Sequence, residues 1–292
     1  MQPLAPPQGC ASVVEVEAVT SYLRPVYSAR TDTGRVRSQN EDSLQAGPLG
    51  EGEVAEPRWY VFAVADGVGG HMRGEWASQT AITTLSAHIL ASIDRDSPPE
   101  ALRGAFRAAN SAIWDHTPQR AGNRAATTLV AALVNRGILW WANVGDSRAY
   151  LVRRGRATRL TTDHSWVEAQ VRAGVMTADQ ARISGRRNVI TRSIGFDVDV
   201  EVDLGGPIAL RSGDGLVLCT DGLYGVVADD ELARVVQQLL PEAAAERLVA
   251  LSNERGGPDN ISVIVCTLVD GSLGEPGHAT ESPTTQATAR VH

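Results

Sequence analysis

Residues 59–70, which read W-Y-V-F-A-V-A-D-G-V-G-G, constrain this chain more than any other stretch. The first part is an unbroken run of Val, Ala and aromatic residues, the pattern of a strand covered on both faces. Such a strand needs a layer of structure above it and another below. The run breaks at Asp66-Gly67, so Asp66 is expected where a rigid core strand ends and a glycine turn begins. A carboxylate fixed there, among small residues, can hold a ligand close to the backbone. An ordinary strand-ending Asp-Gly turn has the same pattern. The rest of the chain has to decide.

With 292 residues, 43% of them hydrophobic and 21% charged, the chain can bury a substantial core as one large domain or two small ones. The net charge of −7 argues against a nucleic-acid binder or a membrane-surface protein. No apolar run is long enough to span a bilayer, and Pro3, Pro6 and Pro7 stand where a signal peptide needs its apolar segment. Cys10, Cys219 and Cys266 are scattered without metal spacing, and the last two fall in apolar runs as expected core thiols. A soluble protein of the reducing cytoplasm is the expectation.

Residues 1–24 are expected to form a loose arm, residues 25–270 the domain, and the Ser/Thr/Pro/Gly-rich residues 271–292 a disordered tail. Within the domain, strands are expected at 25–30, 43–46, 125–135, 138–143, 148–152, 200–204, 215–219 and 261–269, besides the organising run. Helices are expected at 74–91, 98–116, 167–173, 177–183, 229–239 and 241–254. On the first of these, Trp76, Ile82, Leu85, Ile89 and Leu90 recur at helical spacing and mark a candidate buried face. Two helices between two strand groups, and two more near the end, suggest layered α and β elements rather than an alternating parallel sheet. Residues 161–195 are long for a connection in a compact domain, which suits a lid or binding loop.

Acidic residues recur in one context. Asp66 and Asp221 each follow an apolar strand and precede Gly, Asp146 and Asp259 lie in Gly-containing turns beside such strands, and Glu41-Asp42 directly precedes a short one. Hard oxygen ligands on scaffolded loop edges suit Mg²⁺ or Mn²⁺, and no His/Cys cluster offers a zinc or iron site. Five unrelated acidic turns would leave the same marks, and spacing alone does not separate the two readings.

Taken in order, the segments resemble the metal-dependent Ser/Thr protein phosphatases, the PPM or type 2C family, most closely its bacterial branch. The matching stretches are R-x-x-N-E-D at 37–42, A-D-G-V-G-G at 65–70, A-A-T-T-L at 125–129 and V-G-D-S-R at 144–148. They continue with T-D-H-S at 162–165, R-N-V-I-T-R-S-I-G at 187–195, C-T-D-G-L at 219–223 and G-G-P-D-N-I-S at 256–262. Any one of these is weak, but eight in the right order are specific. The resemblance covers about residues 27–269.

The resemblance implies an α+β fold, a four-layer α/β/β/α sandwich of two antiparallel sheets flanked by helix pairs, with a dinuclear metal site at one edge. It implies that Asp66 bridges two Mn²⁺ or Mg²⁺ ions, that Asp221 and Asp259 complete one shell, and that Glu41 and the Gly67 carbonyl serve the other. Asp42 would hydrogen-bond a water of the metal shell, and Arg37 would grip the substrate phosphate. Asp146, with Asp221, matches the place of a third, weaker ion in bacterial members. The implied reaction is hydrolysis of phosphoserine and phosphothreonine by a metal-activated water, on phosphoproteins made by a Ser/Thr kinase, with the enzyme acting as a monomer. Residues 161–195 match the family's flap, whose Arg172, Arg182, Arg186 and Arg187 either face substrate or form a solvated surface.

Val68 stands where many eukaryotic members have a His that serves as general acid, which leaves His71, His164 or a water of the shell as the proton source. Cys219 offers a cysteine-phosphatase alternative, but it lies in an apolar run and lacks the phosphate-cradling loop that such enzymes place after their Cys. Trp140-Trp141 reads as packing. Other classes remain open: an inactive relative acting as a binding module, a phosphatase for a small regulator of a sigma factor, and a two-metal phosphodiesterase.

Overall fold

The computed structural model describes residues 22–50, 59–68, 72–117 and 124–271. The first half contains β1 (Tyr22–Asp32), β2 (Asp42–Pro48), β3 (Tyr60–Val68), α1 (Met72–Ser92), α2 (Pro98–His116), β4 (Ala126–Thr127), β5 (Leu129–Asn135) and β6 (Ile138–Val144). The second half contains β7 (Arg148–Arg153), β8 (Arg156–Arg159), α3 (Trp166–Arg172), α4 (Ala178–Ile183), β9 (Asp203–Ala209), β10 (Gly215–Cys219), α5 (Asp221–Tyr224), α6 (Asp229–Gln238), α7 (Pro241–Glu254) and β11 (Ile261–Gly271). The pairings are antiparallel and give two sheets, ordered β1-β11-β10-β7-β8 and β2-β3-β5-β6-β9, with β4 paired to β3.

The organising run explains the layers. Val61 to Ala65 are all buried, and successive side chains of a strand point to opposite faces. Val61, Ala63 and Ala65 pack into a core with Leu85 and Ile89 of α1 and Leu102 and Phe106 of α2. Phe62 and Val64 face the other way, into a core shared with Leu216, Leu218 and Ile264 of the opposite sheet. A third core joins the outer face of that sheet, through Val217 and Val263, to Leu232 of α6 and Leu248 of α7. The four-layer α/β/β/α sandwich expected from the sequence is the observed one.

Several elements depart from expectation. β1 begins at Tyr22, so 22–24 belong to the sheet rather than to an arm; the remainder of that arm and residues 272–292 lie outside the described residues. The expected strand at 125–135 is broken at Thr128, and the one at 200–204 begins and ends later, as β9. Strand β8 and the short helix α5 were not anticipated. On α1, Ile82, Leu85 and Ile89 are buried, but Trp76 and Leu90 are exposed. Ala77 and Ala81 complete the buried face, because small residues allow α1 to lie close on the sheet.

Candidate functional site

Asp66 does not end its strand. β3 runs on through Gly67-Val68 but changes partner: Tyr60 to Val64 pair with β5, whereas Gly67 and Val68 pair with β4. The change is made at Asp66. Its N–H donates to Thr128 Oγ1 (2.9 Å), and its carbonyl accepts from the Thr128 N–H (2.9 Å) and the Thr127 hydroxyl (2.8 Å). A backbone held on both polar groups fixes the carboxylate between two strand partners.

Register brings the other acids to it. Asp42 of β2 is the direct partner of Asp66, and the Gly67 N–H donates to the Glu41 carbonyl (3.2 Å). In the facing sheet Cys219 pairs with Arg148 of β7 and with Val263 of β11. Asp221 just after β10, Asp146 just before β7 and Asp259 just before β11 therefore cluster at one sheet edge. The Thr128 hydroxyl meets that of Ser147 at 2.7 Å, tying the Asp66 kink to the Asp146 turn across the two sheets.

The result is a cleft of about 190 Å³ lined by Glu41, Asp66, Gly67, Asp146, Asp221 and Asp259, with Arg37 and Val68 at its wall. Asn188 and Ile190 of the 161–195 stretch reach the same cleft, consistent with a flap beside the site. Among the described residues, His, Cys, Asp and Glu side chains form no ready-made metal-binding group of three. The acids nevertheless act on one another. Withdrawal from water raises the Asp66 carboxyl well above the usual range, and the charges of Asp42, Asp221, Asp146 and Asp259 each raise it further. Burial first, then neighbouring carboxylates, push Asp42 to about 7, Asp146 to about 8 and Asp221 to about 6. Oδ1 of Asp42 and Oδ1 of Asp221 are buried without a hydrogen-bond partner. Like charges and unpaired oxygens converging in one cleft fit a divalent cation.

The surrounding backbone leaves no room for larger residues. A Cβ at Gly67 would overlap the carbonyl of Gly74, one at Gly74 would overlap the Glu41 carboxylate, and one at Gly222 would overlap the Asn260 carbonyl. Asn260 is a site residue that the sequence reading did not single out. Its Nδ2 donates to the carbonyls of Thr33 and Gln39 (2.9 and 2.8 Å), and its Oδ1 accepts from the Glu41 N–H (2.9 Å). It thus fastens the loop that carries Arg37 and Glu41. The advance signals were its place next to Asp259 and its position inside the G-G-P-D-N-I-S stretch. Thr220 is a second such residue, donating to Asp42 Oδ2 at 2.9 Å.

Arg37 donates to Asp259 Oδ2 at 2.7 Å and keeps half of its side chain exposed. His164 does not face the cleft: its Nδ1 accepts from the Gly145 N–H (3.0 Å) and its Nε2 lies 3.1 Å from Asp203. His71 is outside the described residues. Cys219 is fully buried, and burial pushes its thiol up to about 12, which removes it as a nucleophile. Trp140 packs on Trp59, and Trp141 lies against Gly205. Of the flap cations, Arg187 lies close enough to lower Asp221, Arg186 stacks over Trp166, and Arg172 and Arg182 are exposed.

Residues 28–200 match the family model described as Protein phosphatase 2C. The chain is 38% identical over 267 residues to the serine/threonine protein phosphatase PstP of Mycobacterium tuberculosis, covering 88% of this chain and 47% of that protein. It therefore spans about half the length of that relative. It is 34% identical over 254 residues to the serine/threonine phosphatase stp of Listeria monocytogenes, covering 85% of this chain and 96% of that one. Its fold resembles the crystal structure of the PstP catalytic domain in complex with 2 manganese ions, with a TM-score of 0.72 and 35% identity over 85% of this chain and 100% of that one.

Proposed function

The chain belongs to the protein phosphatase 2C family, and from that premise we propose that it is a metal-dependent protein Ser/Thr phosphatase. The observation that carries this reading is the convergence of Glu41, Asp66, Asp146, Asp221 and Asp259 on one cleft with Arg37 beside them. Asp66, Asp221 and Asp259 would hold one Mn²⁺ or Mg²⁺; Asp66, Glu41 and the Gly67 carbonyl would hold a second. Asp146 with Asp221 would hold a third, weaker ion. The solved PstP catalytic domain carries two manganese ions, and the acids here have the hard oxygen chemistry for the same metal. Bound there, two divalent ions acidify a water and neutralise phosphoryl charge, which the slow hydrolysis of phosphate monoesters requires.

The chain's own residues then have distinct tasks. Arg37 offers a planar cationic fork to the phosphate oxygens at the cleft wall. Asp42, fixed on one oxygen by Thr220, keeps Oδ1 available to accept a hydrogen bond from the attacking water and so orient it. Val68 carries no acidic proton, and His164 has both ring nitrogens engaged, so neither of them would protonate the leaving alkoxide; a water is the simplest proton source. Asn188 and Ile190 close one wall of the cleft from the flap. The substrates would be phosphoserine and phosphothreonine proteins made by a Ser/Thr kinase. Two free thiols buried in the core suit a reducing cytoplasm.

The test is phosphate release from a phosphothreonine peptide with Mn²⁺, then with excess chelator, beside Asp66→Asn. Release abolished by both chelator and substitution is the expected result. A folded protein that releases nothing with any divalent ion would overturn the reading in favour of a binding module, and cleavage of a phosphodiester alone would make it a different two-metal hydrolase.

A further inference from the structure

We propose that His164 is a positioning residue that sets the Asp146 carboxylate by gripping the preceding peptide unit, and that it links this grip to the base of the flap. The proposal rests on the phosphatase reading only for its kinetic consequence. His164 is almost wholly buried and lies 19 residues from Gly145, yet it holds both polar groups of that glycine. Its ring Nδ1 accepts from the Gly145 N–H at 3.0 Å, and its own N–H donates to the Gly145 carbonyl at 2.9 Å. The same carbonyl takes a longer bond from Asn143 Nδ2, at 3.3 Å. Gly145 has φ +108°, and a Cβ there would overlap the Thr128 side chain. Gly145 therefore has no side chain of its own to anchor it, and its peptide groups depend on these bonds.

The tautomer follows from the contacts. An Nδ1 that accepts from a backbone N–H carries no proton, so a neutral ring has its proton on Nε2. Nε2 then donates to Asp203 Oδ2 at 3.1 Å, and Arg192, 2.7 Å from Asp203 Oδ1, braces that carboxylate from the other side. Arg192 also lies 3.1 Å from Nε2; since it can only donate, that approach is a charge contact and not a second hydrogen bond to the protonated nitrogen. The chain of contacts runs from Asp203 on β9 through His164 and Gly145 to Asp146. The flap enters at the same residue, because the His164 carbonyl accepts from the Thr191 N–H at 2.8 Å, one residue beyond Ile190 in the cleft wall. Beside it, Asp163 makes three hydrogen bonds of 2.6–3.2 Å to Arg148, on the far side of the same turn. Residues 163 and 164 thus clasp the Asp146 turn from both flanks. Partners outside a metal shell tune affinity in this way by orienting the groups that do the ligating.

Two substitutions separate positioning from bulk. Asn places an amide oxygen where Nδ1 lies and keeps the acceptor for Gly145; Gln places an amide nitrogen near Nε2 and keeps the donor to Asp203 but loses that acceptor. For His164→Gln we expect kcat to fall roughly 10–100-fold with KM for a phosphothreonine peptide little changed, Mn²⁺ binding measured by calorimetry to weaken, and the Gly145 amide to lose its hydrogen-exchange protection. His164→Asn should recover most of all three. Imidazole ¹⁵N shifts of the wild type should report the Nε2–H tautomer. Equal losses in the two variants, an unchanged Gly145 amide in His164→Gln, or the Nδ1–H tautomer would overturn the proposal. A wild type without turnover would overturn the phosphatase reading instead, and the amide exchange, the tautomer and Mn²⁺ calorimetry would still decide this one.

Discussion

Arg37 and Asp259 are 222 residues apart in sequence, and a 2.7 Å contact from Nη2 to Oδ2 joins them beside the cleft. The bond to Asp259 raises the Arg37 guanidinium still further, so its charge is permanent. Asp259 is also a proposed cation ligand, so a bound metal and Arg37 compete for one carboxylate. Metal loading should free the guanidinium for phosphate.

Arg37→Ala should therefore raise KM for a phosphothreonine peptide about tenfold or more with a smaller change in kcat, the cost of one charged hydrogen-bonding partner. Arg37→Lys should recover only part of the loss, since an ammonium cannot present the bidentate fork. Steady-state kinetics decide the point. An unchanged KM would remove Arg37 from phosphate binding.

Asp66→Asn and Asp221→Asn should each lower turnover by about 10³-fold or more, since each removes charge that a divalent ion needs. The same changes relieve repulsion among the acids. In chelator, both variants should melt at or above the wild-type temperature, a trade of stability against function. Calorimetric melting beside the activity assay reads both effects.

Stability without metal should fall as pH rises. Asp42, Asp146 and Asp221 have folded values of about 7, 8 and 6, above the unfolded value of 3.8, so the folded chain holds protons that the unfolded chain has released. Where the native state binds more protons, stability declines with pH, here from about pH 4 to pH 8. In excess chelator the melting temperature at pH 8 should lie on the order of 5 °C or more below that at pH 5. Mn²⁺ should close most of that gap. A chelated protein that is more stable at pH 8 would contradict the raised values.

Asn260→Ala should cost about 2–4 kcal/mol of stability, because three part-buried hydrogen bonds are lost and their backbone partners in the 33–41 loop are left without them. Activity should fall further than stability, since the loop carries Arg37 and Glu41. Urea unfolding and kinetics on the same sample test this, with Asn260→Asp as the variant that keeps only the acceptor for Glu41.

Much of the layered architecture was legible because burial leaves a periodic mark. The run at 59–70 predicted a strand between two layers, and Val61 to Ala65 are buried on alternating faces. The candidate acids were legible for a different reason: each stands beside a strand, and the sheet registers bring strand ends together. What escaped was tertiary in origin. That β3 continues past Asp66 depends on Thr127 and Thr128, which are distant in sequence and carry no apolar signal. Asn260 and Thr220 look like ordinary polar neighbours of an acid until their partners are known. Trp76 and Leu90 fit a helical stripe, but Ala77 and Ala81 face the sheet, because close approach there rewards small side chains over large ones.

The pairing of β1 with β11 has a consequence for biosynthesis. β1 is the edge strand of its sheet, and the strand partner of its eleven residues is β11, from Tyr22↔Gly271 to Asp32↔Ile261. A ribosome delivers β1 first and β11 last, so the opening strand waits for nearly the whole domain to be translated. Asp259, which completes the cleft, arrives in the same final segment. The proposed cation cleft thus cannot be complete until the segment that carries β11 has been made. Once β11 has docked, the domain's two ends leave side by side, about 35 Å from the end of the sheet that carries Asp259. The described chain therefore enters and leaves this sheet at the end opposite the cleft.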